Sequence, residues 1–547
     1  MRKLITVVLF LMSTAVLSAA PPRNWAYLDK KPKGFRPCGV VSGETAQKLQ
    51  KKGVIRKAGK KGVIAATTYK VLAIRVHFSA GTPISAASDT VGFFSKLRDY
   101  YAENSYGLLT VTATITANDY TLPSTILSYG DETDSALVKL ITDTVNASKN
   151  DYDFSLYDHV MIYHAGYGEE ESDSSTDLWS LFYDYSYSVD GKTFNGFTVV
   201  PELAASGVSP LGVICHEYGH QLGLPDLYDT TVSGGRSTCG AWSLMDYPYG
   251  ADNSGKNPPH LDPWCKNYLK FIDLSSREVN TSVSSLAMSD IETSQTAGFV
   301  KIPADTSSSE YFIAELRAPD STRIQYDLST PLSTTGKGVL VWHIDDSIAL
   351  DPARLVMNNI NSGSPNLGVD VVEADLNTVY PPGKAASVYG TNSAFSSPQS
   401  DTFSGVQTSI SVANILISGF SATVSVIKLA SSSALDVARL INYPNPSGPG
   451  YAHPRSASGV LTTLVFNFSR VPQSLEADIF DLAGWKVKTI AKDKLSFRVA
   501  PSADYKWVYE YDWDGKNDSG ENVAQGIYLY RINADGKIKT GKLAIVR

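Results

Sequence analysis

The stretch His216-Glu217-Tyr218-Gly219-His220-Gln221-Leu222-Gly223-Leu224-Pro225-Asp226 sets a carboxylate between two imidazoles and a second carboxylate beyond a glycine and a proline. Residues four apart on a helix share a face, so His216 and His220 can offer ring nitrogens to one ion at about 2 Å from each. Glu217 follows the first imidazole directly. It would sit beside the ion's open position, where it could take the proton of an attacking water. The spacing predicts a catalytic zinc site with His216 and His220 as ligands and Glu217 as general base.

The flanks argue for a helix that stops and doubles back. Ser209 suits the N-cap, Pro210 the first helical position, and Leu211, Ile214, Cys215 and Leu222 form an apolar stripe. Gly223 permits the left-handed turn that ends a helix, and Pro225 forbids its continuation. The reversal makes Asp226 the favoured third ligand, since three protein ligands plus water is the usual catalytic zinc set. Asp229 is its competitor.

The extended pattern H-E-x-x-H-x-x-G-x-x-D resembles the metzincin signature, with Asp where most of those families carry His. Ser243-Leu244-Met245-Asp246-Tyr247 resembles the methionine turn of the same families. The resemblance implies Met245 as the floor of the site and Tyr247 as a catalytic residue that hydrogen-bonds the oxyanion. A bare H-E-x-x-H also arises by chance on a solvated helix, and Met245 alone reads as core; Gly223, Asp226 and Met245 gain weight together.

At 547 residues the chain exceeds what one core usually serves, and 43% hydrophobic residues suffice to bury several. A net charge of −7 gives no basic field, so nucleic acid is not an expected partner. Arg2 and Lys3 precede an apolar run from Leu4 to Leu17 and then Ser18-Ala19-Ala20, the layout of a secretory signal peptide at 1–20. No comparable run of about 20 residues recurs as a membrane span. The expected location is outside the cell or on its surface.

Four cysteines invite pairing, and Cys239 with Cys265 is the favoured pair because the two flank the methionine turn. Arg36-Pro37-Cys38-Gly39 loosely resembles the cysteine switch of matrix metalloprotease propeptides; a bridge to Cys215 or a surface thiol is the alternative. A basic, glycine-broken connector from Lys48 to Gly62 reads as a maturation site, which makes 21–68 a propeptide-like segment of a zymogen.

From Tyr69 to Phe78 the chain is apolar and β-branched enough for a central strand, Phe93 to Glu103 follows with helical spacing, and Asp158 to His164 reads as a second strand. His164 is expected at a strand end and not as a ligand. These segments, Arg98-Asp99-Tyr100-Tyr101-Ala102-Glu103-Asn104-Ser105-Tyr106-Gly107, the zinc motif, and the later Tyr311 to Arg317, Gly338 to Asp345 and Val371 to Asp375 resemble the immune-inhibitor-A-like bacterial metalloproteases, in the same order. The resemblance implies a secreted zinc metalloendopeptidase acting on proteins or peptides, with His216, His220 and Asp226 on zinc. Structural calcium is common in such enzymes, and the carboxylates near Glu373 and Asp375 are candidates.

The expected architecture is multidomain. A metzincin-like α/β zincin domain at 69–275 is followed by a β-rich, sandwich-like domain at 276–429, where His343 and Asp345 are expected as a structural pair. A C-terminal Ig-like β-sandwich spans 437–547. The last resembles the Ig-like domain of the flagellar hook-capping protein and type IX secretion sorting domains, which would give it cell-surface or secretion-system contacts. The alternative function is an adhesion protein whose zincin is an idle scaffold; the intact Glu217 favours the enzyme.

Overall fold

The computed structural model describes residues 17–19, 64–80, 87–130, 133–172, 177–230, 237–304, 309–331, 336–362, 367–374, 388–396, 399–403, 408, 410–428, 437–448, 453, 459–468, 471–472, 474–499 and 507–546. Cys38, the basic connector and Asp375 lie outside them. The chain divides into two compact units, one of Met1–Gln399 and Ile410–Lys428, the other of Ser400–Ser409 and Leu429–Arg547.

The first unit is built on a seven-stranded sheet of β1 (Leu17–Ala19), β2 (Thr67–Phe78), β3 (Leu109–Ile115), β4 (Tyr120–Leu122), β5 (His159–Tyr167), β6 (Leu181–Val189) and β7 (Lys192–Leu203). Its order is β1-β6-β7-β5-β2-β3, with β4 also on β2. Strands β2, β3, β5 and β7 run parallel, whereas β6 is antiparallel to β7 and β1 to β6. The apolar run expected as a central strand is β2, held between β3 and β5.

Both faces of β2 are covered, which is why its sequence is nearly continuous in apolar residues. Val71 and Ala73 join a core with Leu211, Ile214, Cys215 and Tyr218 of the helix Leu211–Gln221. Leu72, Ile74, Val76 and Phe78 join the opposite core with Leu137, Leu140 and Ile141 of the helix Asp134–Ser148. That second helix starts on Thr133, whose hydroxyl accepts the Ala136 N–H at 3.2 Å. The helix expected from Phe93 spans Ala87–Asn104.

Two further antiparallel sheets follow. One is β9 (Phe299–Pro303), β10 (Glu310–Arg317), β11 (Gly338–Asp345) and β12 (Val369–Val372); the other is β8 (Val283–Ser289), β13 (Ile410–Ser418) and β14 (Ser421–Lys428). Alternation assigns their faces. Phe312, Ala314, Val339 and Val341 point into a core shared with Val412, Val424 and Val426, while Ile313, Leu340, Trp342 and Ile344 point into the core that holds Leu211 and Tyr218. The stretches 69–275 and 276–429 thus share one hydrophobic core.

The second unit holds two four-stranded antiparallel sheets, β15 (Val437–Tyr443), β16 (Thr462–Phe468), β20 (Trp507–Trp513) and β19 (Ser496–Val499) in one, and β18 (Lys486–Ala491), β17 (Leu475–Phe480), β21 (Gly526–Ala534) and β22 (Lys537–Ile545) in the other. Leu464, Phe466 and Trp513 of one sheet meet Ala477, Ile479, Tyr530 and Ile532 of the other in a single core. Asp535 and Gly536 turn β21 into β22 with φ of 49° and 80°, as a two-residue hairpin loop requires. No helix among the described residues is long and apolar enough to cross a membrane.

Candidate metal centre

The motif helix spans Leu211–Gln221, and ten of its residues, from Leu211 to His220, are buried. Pro210 occupies the cap position one residue later than the expected Ser209, whose hydroxyl instead accepts the Leu211 N–H at 3.2 Å. The stop falls where glycine predicts it. Gly223 has a φ of 98°, its N–H reaches the His220 carbonyl at 2.8 Å, and the Leu224 N–H reaches the Gly219 carbonyl at 3.0 Å.

That turn carries the chain back over the helix. The Nε2 atoms of His216 and His220 are 3.2 Å apart, and Asp226 Oδ1 lies 3.1 Å from the first and 3.2 Å from the second. His216 and Asp226 have no exposed surface and His220 is 5% exposed. His216 Nδ1 faces the Leu244 carbonyl at 2.9 Å, and His220 Nδ1 faces the Leu224 carbonyl at 2.8 Å. A carbonyl can only accept, so each Nδ1 carries a proton and, in neutral rings, each Nε2 a lone pair. Two lone pairs and a carboxylate oxygen then converge.

This donor set fits a tetrahedral zinc. Ligand atoms about 2.1 Å from an ion would stand about 3.4 Å from one another, close to the separations found. Burial holds the His216 imidazole below its usual pKa, which keeps it neutral and able to ligate. Burial pushes the Asp226 carboxyl up; positive charge on the two imidazoles, were they protonated, would outweigh burial and hold the group well below the usual carboxylate range. Glu217, fully buried beside His216, has a carboxylate oxygen within 4.8 Å of both imidazoles. Asp229 is only half-buried. Among the described residues no other His, Cys, Asp and Glu cluster of this kind occurs.

The methionine-turn segment supports this arrangement from the side. A Cβ on Gly219 would stand 2.7 Å from Met245 Sδ and 3.3 Å from the Tyr101 hydroxyl, so only glycine lets Met245 lie this close to the helix. Leu244 supplies the carbonyl on His216, and the Met245 carbonyl accepts the Leu227 N–H at 2.9 Å. Asp246 gathers the loop before it, accepting from Ser237 Oγ at 2.7 Å and from the backbone N–H groups of Thr238, Cys239 and Gly240. Burial nevertheless pushes its carboxyl up to about 6. Asp246→Ala would strand the N–H groups of Thr238 and Cys239, while the Gly240 N–H keeps Ser237 Oγ at 3.1 Å, and should lower stability by at least about 2 kcal/mol, measured by urea unfolding. A loss under about 1 kcal/mol would show that water replaces the carboxylate.

Tyr247 packs with Val213, Ala241 and Tyr249 and donates its hydroxyl to Asn253 Oδ1 at 2.7 Å. His164 lies buried within β5, its Nδ1 facing the Ala165 carbonyl at 3.0 Å. His343 and Asp345 are both satisfied, but not by each other. His343 Nε2 meets Glu310 at 2.9 Å, and Asp345 caps the helix Asp346–Ala349. Cys239 and Cys265 are separate buried thiols, not the expected bridge, as is Cys215. The Cys239 thiol points at the Val369 carbonyl, 3.6 Å away.

Sequence reading missed Asn358, whose side chain holds Asp226 from 132 residues further along the chain. Nothing in the turn-rich stretch around it has a spacing that would mark it.

Residues 143–273, which contain the motif helix, Asp226 and the methionine turn, match the catalytic domain of the immune inhibitor A peptidases, family M6. This stretch is similar to an M6 peptidase domain. Over 132 residues it is 34% identical to the pre-pro-metalloprotease PrtV of Vibrio cholerae serotype O1, covering 21% of this chain and 14% of that protein. Over 221 residues it is 28% identical to immune inhibitor A of Bacillus thuringiensis subsp. alesti, covering 32% of this chain and 31% of that protein. The matched stretch spans less than a third of either relative. The solved structure of OgpA from Akkermansia muciniphila aligns with 89% of this chain and 96% of its own, but at 9% identity and a TM-score of 0.25. The M6 match ends well before Asn358, so a partner of Asp226 comes from outside the matched stretch.

Proposed function

We propose that this protein is a secreted zinc-dependent metalloendopeptidase, with His216, His220 and Asp226 as the ligands and Glu217 as the general base. The observation that carries the reading is the convergence of two Nε2 atoms and one carboxylate oxygen within 3.1–3.2 Å of one another, each imidazole oriented by a backbone carbonyl. A zinc ion bound there would supply Lewis-acid polarisation of the scissile carbonyl and of the attacking water.

The chain's own groups do the rest. His216 and His220 are presented as neutral donors by the Leu244 and Leu224 carbonyls, which fix both tautomer and ring orientation. Glu217 takes the proton as water adds to the peptide carbon and passes it to the leaving amine. Its burial strengthens that exchange, because bulk water does not compete. Tyr247 serves the developing oxyanion only by exchanging its Asn253 partner for substrate. Tyr247→Phe is then expected to lower kcat by about 10²–10³-fold with little change in KM, checked by steady-state kinetics on a fluorogenic peptide.

The leader-like residues 1–20 support export, and the exported chain would then lack β1 at the β6 edge of its sheet; the two-sheet C-terminal unit serves as an Ig-like binding or sorting module at the surface. Metal content and casein hydrolysis of the purified chain test the peptidase reading. Zinc near one per chain with hydrolysis lost to a chelator and restored by zinc is the expected result; a chain without zinc sinks it. Within the site, Asp226→Ala should abolish zinc retention through dialysis and Asp229→Ala should not, and the reverse pattern would move the third ligand to Asp229.

A further inference from the structure

We infer that Asn358 is a positioning residue for the metal centre, turning the Asp226 carboxylate so that Oδ1 faces the two imidazoles and thereby setting how tightly the site holds zinc. This rests on Asp226 being the third ligand. Asn358 follows the short helix Pro352–Val356 and is 3% exposed. Its Oδ1 accepts the backbone N–H of Asp226 at 2.6 Å, and its Nδ2 donates to Asp226 Oδ2. One amide therefore grips both the main chain and the side chain of the same residue. With Oδ2 engaged, rotation of the carboxylate is restrained and Oδ1 is left at 3.1 and 3.2 Å from the imidazoles.

An amide is the group this task needs. A carboxylate oxygen wants a donor and a backbone N–H wants an acceptor, and among side chains of this length only asparagine offers both in one plane. Asn358 is itself anchored. Its φ of 47° lies in the left-handed region that asparagine and glycine tolerate best. Its carbonyl accepts from Thr230 Oγ1 at 3.3 Å, Ser362 Oγ accepts the Thr230 N–H at 2.8 Å, and Asn361 Nδ2 donates to the Leu227 carbonyl at 2.7 Å. The strand-rich half of the unit thus clamps the ligand loop from Asp226 to Thr230, and only Asn358 in that clamp is bonded to the carboxylate itself.

The test uses the purified full chain and reads the zinc dissociation constant by competition with a chromophoric chelator, together with the visible spectrum of the cobalt-substituted protein. Asn358→Gly keeps the left-handed backbone while deleting both bonds, and should weaken zinc binding by about 10–100-fold and shift the cobalt spectrum. Asn358→Asp keeps the acceptor for the Asp226 N–H but sets oxygen against Oδ2, and should weaken zinc likewise. Ser362→Ala loosens the same clamp without touching Asp226 and should leave affinity and spectrum as in the parent. Parent-like zinc affinity in Asn358→Gly, or an equal loss in Ser362→Ala, overturns the role. Should the glycine variant fail to fold, judged by circular dichroism of the zinc-free protein, the aspartate variant decides. A parent chain that takes up no zinc overturns the ligand reading itself, and this role with it.

Discussion

Glu217→Gln should lower peptide hydrolysis by about 10²–10⁴-fold while zinc content stays at that of the parent. The amide occupies nearly the same volume in a site where Glu217 has no exposed surface, so packing is preserved. It cannot take a proton. The three atoms that converge belong to His216, His220 and Asp226, so metal binding has no reason to fall. Steady-state kinetics beside metal analysis checks both halves. Loss of activity with loss of zinc would make Glu217 a ligand, and retained activity would give the base to another group.

Arg317→Met should be strongly destabilising in the first unit, at about 3–5 kcal/mol, which corresponds to a fall in Tm of about 5 °C in a unit of this size. The guanidinium is fully buried, 2.7 Å from Asp327 Oδ2 and 3.1 Å from Glu315 Oε1, and it donates to the Trp242 carbonyl. Both carboxylates are buried too, and each has a second task. Asp327 accepts the His260 N–H at 2.8 Å, and Glu315 accepts from the Trp342 indole at 2.8 Å. Removing the cation leaves two buried negative charges that other bonds hold in place. Burial already pushes Glu315 up, and Glu292 up to about 8, so the region has little capacity to lose a positive charge. Thermal unfolding followed by circular dichroism measures the effect. A shift below about 1 kcal/mol would mean that Glu315 takes up a proton instead.

What was legible in the sequence was what is encoded locally. The apolar run of β2, the helix that carries His216 and His220, and its stop at Gly223 depend on periodicity and on the conformational range of single residues, both of which act over one or two turns. Met245 was legible as a motif. Its reason is not, because the close approach to Gly219 is a contact between segments. The expected Cys239–Cys265 bridge followed the same limit: flanking a loop is a sequence relation, whereas bonding needs the two sulfurs brought together.

By itself the sequence determined which atoms are available to a metal, two imidazoles one helical turn apart, a carboxylate beside them and another after a forced reversal. Only the tertiary structure decided that Asp226 Oδ1 completes the triangle, since its direction is set by Asn358 from 132 residues away. It likewise decided that 69–275 and 276–429 share a core, because β10 and β11 spend one face on each neighbour. Helical spacing is written into covalent reach and backbone sterics. The turn of a carboxylate and the partner of a sheet face depend on which distant segments pack together, and no local pattern records that.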